Sequence, residues 1–267
     1  MKIAFIGGGN MGEAMLSAIL DKKLSKPQAI SVSDIDKSRC QYLEQKYGVA
    51  VMSDNLLAAA SGEVVILAIK PPQLAEVMAE LKGALKPAQL VLSIVAGAKM
   101  ASLQRGLNHS GIVRAMPNTP ARIGEGMTVW TASDAVGEQQ KYWAGSILGA
   151  MGREIYVADE QYLDMATAVS GSGPAYLFLF LEALTEAAEA IGLPGAVARE
   201  LALQTTLGSV HLVQKTGEEP AELRRMVTSP GGTTAAALRE LGEGGFNELI
   251  KRAVNAAYGK ARSLGGD

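Results

Sequence analysis

Ile3-Ala4-Phe5-Ile6-Gly7-Gly8-Gly9-Asn10-Met11-Gly12-Glu13-Ala14-Met15-Leu16 decides the fold, because an apolar run, a turn of glycines and the start of a helical run follow one another without a gap. Gly7, Gly9 and Gly12 satisfy the spacing G-x-G-x-x-G between a strand and a helix, and each glycine answers a separate demand. Gly7 allows the tight turn, Gly9 lets a pyrophosphate approach the backbone, and Gly12 lets helix and strand pack closely. The helix that follows turns its free N–H groups towards the phosphates. The segment therefore opens a dinucleotide-binding βαβ unit. Roughly twenty residues after Gly12, Asp34 stands at the end of the second β run, where an acid accepts hydrogen bonds from the adenosine ribose hydroxyls. That placement favours NAD. Lys37 and Arg39 follow closely and could pair with a 2′-phosphate if Asp34 turns away, so the residues alone leave NADP and NAD both open.

Outward from this turn, short β-rich runs alternate with helical stretches over the first 160 residues or so, the pattern of a parallel sheet covered on both faces. The expected strands are 2–6, 29–33, 50–52, 64–68, 90–94, 112–115, 127–131 and 154–157. Several, such as Val64-Val65-Ile66-Leu67-Ala68, are continuously apolar, as strands buried on both faces must be. After Asp159 the β-branched runs give way to Ala, Leu and Glu at helical spacing. The expected organisation is a doubly wound α/β domain over 1–159 and an all-α domain over 160–267. In the second, 174–191 reads as a buried helix, and a helix over 196–215 places Leu203, Leu207, Val210 and Gln214 on one side. Two long apolar-faced helices need partners, which predicts a helix-mediated homodimer.

The composition narrows the function. With 48% hydrophobic and 19% charged residues the chain is globular, and a net charge of -2 leaves no electrostatic surplus for nucleic acid. The single cysteine, Cys40, cannot form an intramolecular disulfide, and the two histidines, His109 and His211, offer no metal-ligand spacing. Met1-Lys2-Ile3-Ala4 runs straight into the first strand and its glycines, without the progression a signal peptidase reads, and 174–191 is interrupted by Glu182, Glu186 and Glu189. A cytoplasmic protein without a membrane span is expected. Cys40, Trp130 and Trp143 read as packing, and the methionines as core filling.

Other strand ends carry punctuation suited to a ligand edge. Ala68-Ile69-Lys70-Pro71-Pro72 closes one strand, and Val95-Ala96-Gly97 closes another with residues small enough for a flat nicotinamide or ribose. Arg114-Ala115-Met116-Pro117-Asn118-Thr119-Pro120 ends a third. The helical half holds Ser170-Gly171-Ser172-Gly173-Pro174-Ala175-Tyr176 and Ser229-Pro230-Gly231-Gly232-Thr233-Thr234, each expected as a compact turn before a helix. Hydroxyls and free N–H groups there can hold a carboxylate without a charged side chain, or can simply cap the helix.

Taken in this order, these segments resemble the pyrroline-5-carboxylate reductases over essentially the whole chain, Ser229 to Thr234 being the most specific. The resemblance implies a Rossmann-type domain followed by an all-α C-terminal dimerisation domain. It implies NAD(P)H-dependent reduction of Δ1-pyrroline-5-carboxylate to L-proline, the last step of proline biosynthesis, by homodimers that can build a ring. It further implies cofactor contacts at Ile6, Gly7, Gly8, Gly9, Asn10 and Met11, near Asp34, at Asn55, at Ala68, Ile69, Lys70 and Pro71, and around Val95 and Ala96. Ser229, Thr233 and Thr234 would hold the substrate, with the Thr234 hydroxyl on the ring nitrogen. Such chemistry suits the inventory, since a protonated imine is already an electrophile and becomes an amine on accepting hydride, with no strong acid required. Two alternatives compete. A β-hydroxyacid dehydrogenase shares the glycine turn but needs a lysine at the start of its long helix, where this chain has Ala175-Tyr176-Leu177-Phe178. A non-catalytic dinucleotide-binding interaction protein would share the fold alone.

Overall fold

The computed structural model describes residues 1–265. Eight strands form one sheet: β1 (Ile3–Ile6), β2 (Ile30–Ser33), β3 (Ala50–Met52), β4 (Val64–Leu67), β5 (Leu90–Ser93), β6 (Ile112–Met116), β7 (Gly126–Ala132) and β8 (Gly152–Tyr156). The helices are α1 (Asn10–Asp21), α2 (Lys37–Tyr47), α3 (Asn55–Ser61), α4 (Leu74–Leu81), α5 (Met100–Leu107), α6 (Glu138–Gly149) and α7 (Gln161–Ala166). After them come α8 (Gly173–Ala190), α9 (Gly195–Thr216), α10 (Pro220–Met226), α11 (Thr233–Glu243) and α12 (Phe246–Leu264). All eight expected strands are present, their ends shifted by at most two residues.

The spatial order is β3-β2-β1-β4-β5-β6-β7-β8. The chain winds outward from β1 in one direction and then from β4 in the other, so the sheet has a switch point between these two strands, where such folds bind ligands. Register brings Ile6 opposite both Ser33 and Leu67, which sets Gly7, Asp34 and Ala68 side by side on one edge. The apolar runs are continuous because both faces are covered. Ile3, Phe5, Ile66 and Leu92 pack into one core, while the alternate residues Ala4, Ile6, Val65 and Leu67 pack into another.

One expectation about the sheet is corrected. It is not wholly parallel, since β6 and β7 run antiparallel. Only residues 117–125 separate them, and these hold a single 3-10 turn, Thr119–Ile123, too short for the crossover that parallel pairing needs. Nor is the sheet covered throughout, for β8 lies at an edge with Ile155 and Tyr156 about half exposed.

The packing divides the chain elsewhere than its composition does. One compact unit contains Met1–Pro174 together with the residues from Ala256 on, and the other is Ala175–Asn255. Helix α7 and the π-helical turn after it, Thr167–Gly171, belong to the first unit and bury Leu163 and Ala168. In the second unit the expected long helices form, but α8 has no buried residue, against the reading of 174–191 as a buried helix. Leu177, Phe178 and Leu179 are more than half exposed, because nothing in the described chain covers that face. Leu203, Leu207 and Val210 of α9 are similarly open. No helix among the described residues is long and apolar enough to cross a membrane.

Because Ile66 sits at the centre of the sheet with no exposed surface, Ile66→Ala is expected to lower the unfolding free energy by about 2–5 kcal/mol. Chemical denaturation measures this, and a loss under about 1 kcal/mol would contradict a closely packed central strand.

Candidate functional site

The glycine turn meets the three demands read from its spacing. Gly7 has φ +99°, and a Cβ there would stand 2.6 Å from the Ala68 carbonyl oxygen at the end of β4. Its N–H donates to the Ser33 carbonyl at 2.7 Å, tying the turn to β2 as well. At Gly12 a Cβ would meet the Gly7 carbonyl oxygen at 2.6 Å, so helix and turn are in direct backbone contact. Gly9, by contrast, faces open space, with nothing within 4 Å of its missing Cβ. It is also the N-cap of α1 and offers no side chain to the first-turn N–H groups, for which a helix has no acceptor of its own. An uncapped helix end beside empty space is an anion site.

A cavity of about 390 Å³ opens at this edge. Ile6, Gly7, Gly9 and Asn10 border it from β1 and the turn, Asp34 from β2, and Asn55 from the start of α3. Ala68, Ile69 and Lys70 border it from β4. The other expected cofactor residues do not. Gly8 is turned inward against Leu43 and donates its N–H to Asp34 Oδ2 at 2.7 Å. Met11 is half-buried and packs against the core, Pro71 starts an exposed 3-10 turn, and Val95 is buried. Ala96 stands at the next strand end along the edge and is half-buried. The room expected beside Gly97 is already taken, since a Cβ at that glycine would meet Leu264 Cβ at 2.9 Å.

Polar contacts fix the cavity's side chains. Asn55 accepts from the Ser33 hydroxyl at 2.8 Å and donates to Glu80 at 2.6 Å. Asp34 Oδ1 accepts from the Asp36 N–H at 2.9 Å. Asp36 caps α2, accepting from Ser38 and Arg39 N–H. The Ser38 hydroxyl, followed by these two amides, holds the Asp36 carboxyl below its ordinary range.

The sequence reading missed Glu13. Its carboxylate lies in the first turn of α1 and gathers Arg39 in an ion pair, Lys46 at 2.9 Å, Tyr42 at 3.0 Å and Tyr47 at 2.9 Å. Burial pushes its pKa up, but the hydrogen bonds from Lys46, Arg39, Tyr47 and Tyr42 outweigh that and bring it down to about 2. Arg39 also donates through Nε to the Gly8 carbonyl at 2.5 Å. A glutamate in a first helical turn reads as a response to the helix dipole, and nothing local reveals partners on α2.

Two further groups stiffen the first unit. Arg114, in the middle of β6, is buried and paired with Glu160 at 2.8 Å and Asp164 at 2.9 Å, while Glu160 accepts the Met100 N–H at 2.6 Å. Asn118 accepts the Met127 N–H at 2.8 Å and donates to the carbonyl and hydroxyl oxygens of Ser170 at 3.2 Å. Ser170-Gly171 is thus part of a π-helical turn braced by Asn118, and α8 follows it at Gly173.

In the second unit, α11 begins at Thr233, and its N-cap Gly232 makes no side-chain cap, so the helix-capping alternative does not apply at that position. Gly231 adopts φ +72°, and the Gly232 N–H donates to the Ser229 carbonyl at 3.1 Å. A Cβ on Gly232 would meet the Ser229 hydroxyl at 2.5 Å. Ser229 is thereby folded back against Gly232, next to the start of α11 at Thr233 and Thr234.

Comparison with known proteins gives a consistent result. Residues 160–264 match the family model described as pyrroline-5-carboxylate reductase dimerisation, and residues 2–97 match the one described as NADP oxidoreductase coenzyme F420-dependent. A pyrroline-5-carboxylate reductase from Synechocystis is 44% identical over 266 residues, covering 99% of this chain and 98% of its own. The solved reductase from Coxiella burnetii superposes with a TM-score of 0.91 at 38% identity, over 100% of this chain and 99% of its own. That from Plasmodium falciparum, solved with NADP bound, gives 0.90 at 31% identity, over 100% and 98%.

Glu13 also predicts a pH dependence. A carboxyl whose pKa falls from 4.5 to about 2 on folding contributes stability that is complete above pH 4.5 and is lost as pH drops towards 2. Glu13→Gln is expected to cost about 1–3 kcal/mol at neutral pH. In denaturant titrations across pH that gap should close between 4.5 and 2. A gap that stays constant with pH would exclude an ionised Glu13 as its source.

Proposed function

The chain belongs to the pyrroline-5-carboxylate reductase family, and from that premise we propose how its own residues carry the reaction. It is an NAD(P)H-dependent oxidoreductase acting on CH–NH groups, which reduces Δ1-pyrroline-5-carboxylate to L-proline. The observation that carries this is identity of 44% sustained over 99% of the chain, across both halves.

The sheet edge fits a dinucleotide. Gly9 leaves space for the pyrophosphate against the uncapped start of α1, and Asp34 stands where the adenosine ribose is held. The turn from Ile6 to Met11, with Asn55, lines the same half. Ala68 to Pro71, Val95 and Ala96 would carry the nicotinamide half along the strand ends. When bound, the reduced cofactor supplies the hydride.

The substrate residues we assign are Ser229, Thr233 and Thr234. The Thr233 and Thr234 amides, with the Ser229 hydroxyl, bind the carboxylate, and the Thr234 hydroxyl orients the ring nitrogen. The protonated imine needs no further acid. Its carbon gains the hydride, the electrons of the C=N bond pass to nitrogen, and a neutral amine results. The protein's work is to hold that carbon in place and exclude other geometries. This agrees with a chain that has neither Lys nor His in 170–191.

The functional division we propose is 1–159 for the dinucleotide and 160–267 for substrate and self-association. Residues 160–264 form a dimerisation domain, so the protein oligomerises. We assign the open faces of α8 and α9 to a homodimer, from which a ring of dimers can grow, and place the enzyme in the cytoplasm. Sedimentation should give twice the chain mass or a multiple of it, and a monomer at micromolar concentration would refute the assignment.

The activity is tested by following oxidation of NADH and NADPH with Δ1-pyrroline-5-carboxylate, against a panel of 2-ketoacids and 3-hydroxyacids. Only the imine should be turned over. Thr234→Ala is expected to lower kcat/KM by about ten- to a hundredfold, the loss of one or two hydrogen bonds to a charged ligand. Unchanged kinetics in that variant would remove Thr234 from the site.

A further inference from the structure

NADH and NADPH differ by one phosphate ester, on the 2′ oxygen of the adenosine ribose, so the choice between them is made by the charges that meet that oxygen. In a doubly wound domain it lies just beyond the second strand, beside the acid at that strand's end. Here β2 ends at Ser33, and Asp34, Ile35 and Asp36 follow it along the border of the glycine-edge cavity. Two carboxylates therefore stand where an added phosphate would have to go.

Neither carboxylate is placed to swing aside. Asp34 is clamped through both oxygens, Oδ2 by the Gly8 N–H at 2.7 Å and Oδ1 by the Asp36 N–H at 2.9 Å. Asp36 is fixed by the Ser38 hydroxyl at 2.7 Å and by the amides it caps. The alternative in which Asp34 turns away to admit a phosphate would break two backbone hydrogen bonds, one of them to the glycine turn itself.

The guanidinium that could offset these charges is held elsewhere. Arg39 borders the cavity, but its Nη2 is paired with Glu13 and its Nε donates to the Gly8 carbonyl. Its guanidinium also lies 5.0 Å from the centroid of the Tyr42 ring. Glu13 is itself anchored by Lys46, Tyr42 and Tyr47, so the latch does not move as a loose surface pair would. Lys37 is exposed and does not border the cavity, and Lys70 borders it from β4, on the other side of β1 from β2.

We propose that this enzyme prefers NADH, and that Glu13 is a specificity-determining residue, keeping Arg39 from the ribose 2′ position while Asp34 and Asp36 face it. The proposal rests on reading the glycine edge as the cofactor site. Glu13 acts through Arg39 and touches neither substrate nor the reacting carbon. Removing its charge frees a cation for the phosphate, whereas removing the charge of Asp36 relieves the repulsion directly.

The test is calorimetric titration of the full chain with NADH and with NADPH, alongside kcat/KM for each. The wild type is expected to bind NADH about tenfold more tightly than NADPH, or more, a factor that a like-charge contact readily supplies. Glu13→Gln should shift the ratio of the two dissociation constants at least about threefold towards NADPH. Asp36→Asn, which keeps an acceptor for the cap of α2, should shift it the same way, and serves if Glu13→Gln folds poorly. Equal or tighter binding of NADPH by the wild type would overturn the proposal. So would an NADH preference that Glu13→Gln and Asp36→Asn both leave unaltered. If neither dinucleotide binds, the cofactor-edge reading itself falls, and this inference with it.

Discussion

Backbone meets backbone where β1 ends, and the rest of the site depends on that contact. The turn at Gly7 passes so near the Ala68 carbonyl that only a hydrogen fits, and Gly12 presses on the Gly7 carbonyl from the other side. Any side chain at either position would force α1 away from the sheet. Because none is there, the start of α1 lies directly over the switch point between β1 and β4, where the register has already aligned the ends of three strands. The Gly8 N–H then reaches Asp34, and the Gly8 carbonyl reaches Arg39. The uncapped start of α1, the Asp34 carboxylate and the Arg39 guanidinium are positioned by one turn.

How much of this was legible depended on the range of the forces involved. Strands such as Val64–Leu67 could be read directly, because burial on both faces leaves a continuous apolar run that no helix of that length would need. The glycine turn was equally plain, since its spacing is a steric requirement written in residue type. The direction of β7 was not, because it follows from how little chain joins it to β6, and strand residues carry no mark of parallel or antiparallel pairing. The Glu13 cluster was invisible for another reason: its partners lie on α2, and ion pairs across that separation have no local pattern. Gly97 misled in a specific way. Its small size was read as room for a ligand, and its neighbour proved to be Leu264, from the far end of the chain.

The helical unit shows the same limit from the other side. Periodicity identifies α8 and α9 with their apolar residues, but apolar character does not mean burial within the chain. In the chain by itself Leu177, Phe178 and Leu179 stay open, while only Ala198 and Ala202 of α9 are buried. Contiguous apolar surface of this kind is costly in water and marks an association surface. Hydrophobic spacing thus reports that a face must be covered without saying by which molecule, and the match to a dimerisation domain supplies that missing term.

The chemistry asked of the site explains why it could be built with so few ionisable groups. Reduction of a carbonyl generates an alkoxide, and a protein doing that work must keep an acid with a suitable pKa beside the reacting oxygen. An iminium ion arrives with its proton and loses its positive charge as hydride is added, so the demand on the protein shifts from proton supply to placement. The residues proposed for it, Ser229 in the turn before α11 and Thr233 and Thr234 at its start, would provide hydroxyls and backbone amides, donors whose strength does not vary with pH over the working range. The charged residues of the nucleotide edge are then released from catalysis altogether. Asp34, Asp36 and Arg39 border the glycine-edge cavity, with Glu13 paired to Arg39, and in the proposed arrangement their charge would bear on which dinucleotide is held and leave the reacting carbon untouched. On the proposed assignment, such separation would let cofactor preference change by substitution around β2 and α2 without disturbing the residues that hold the imine.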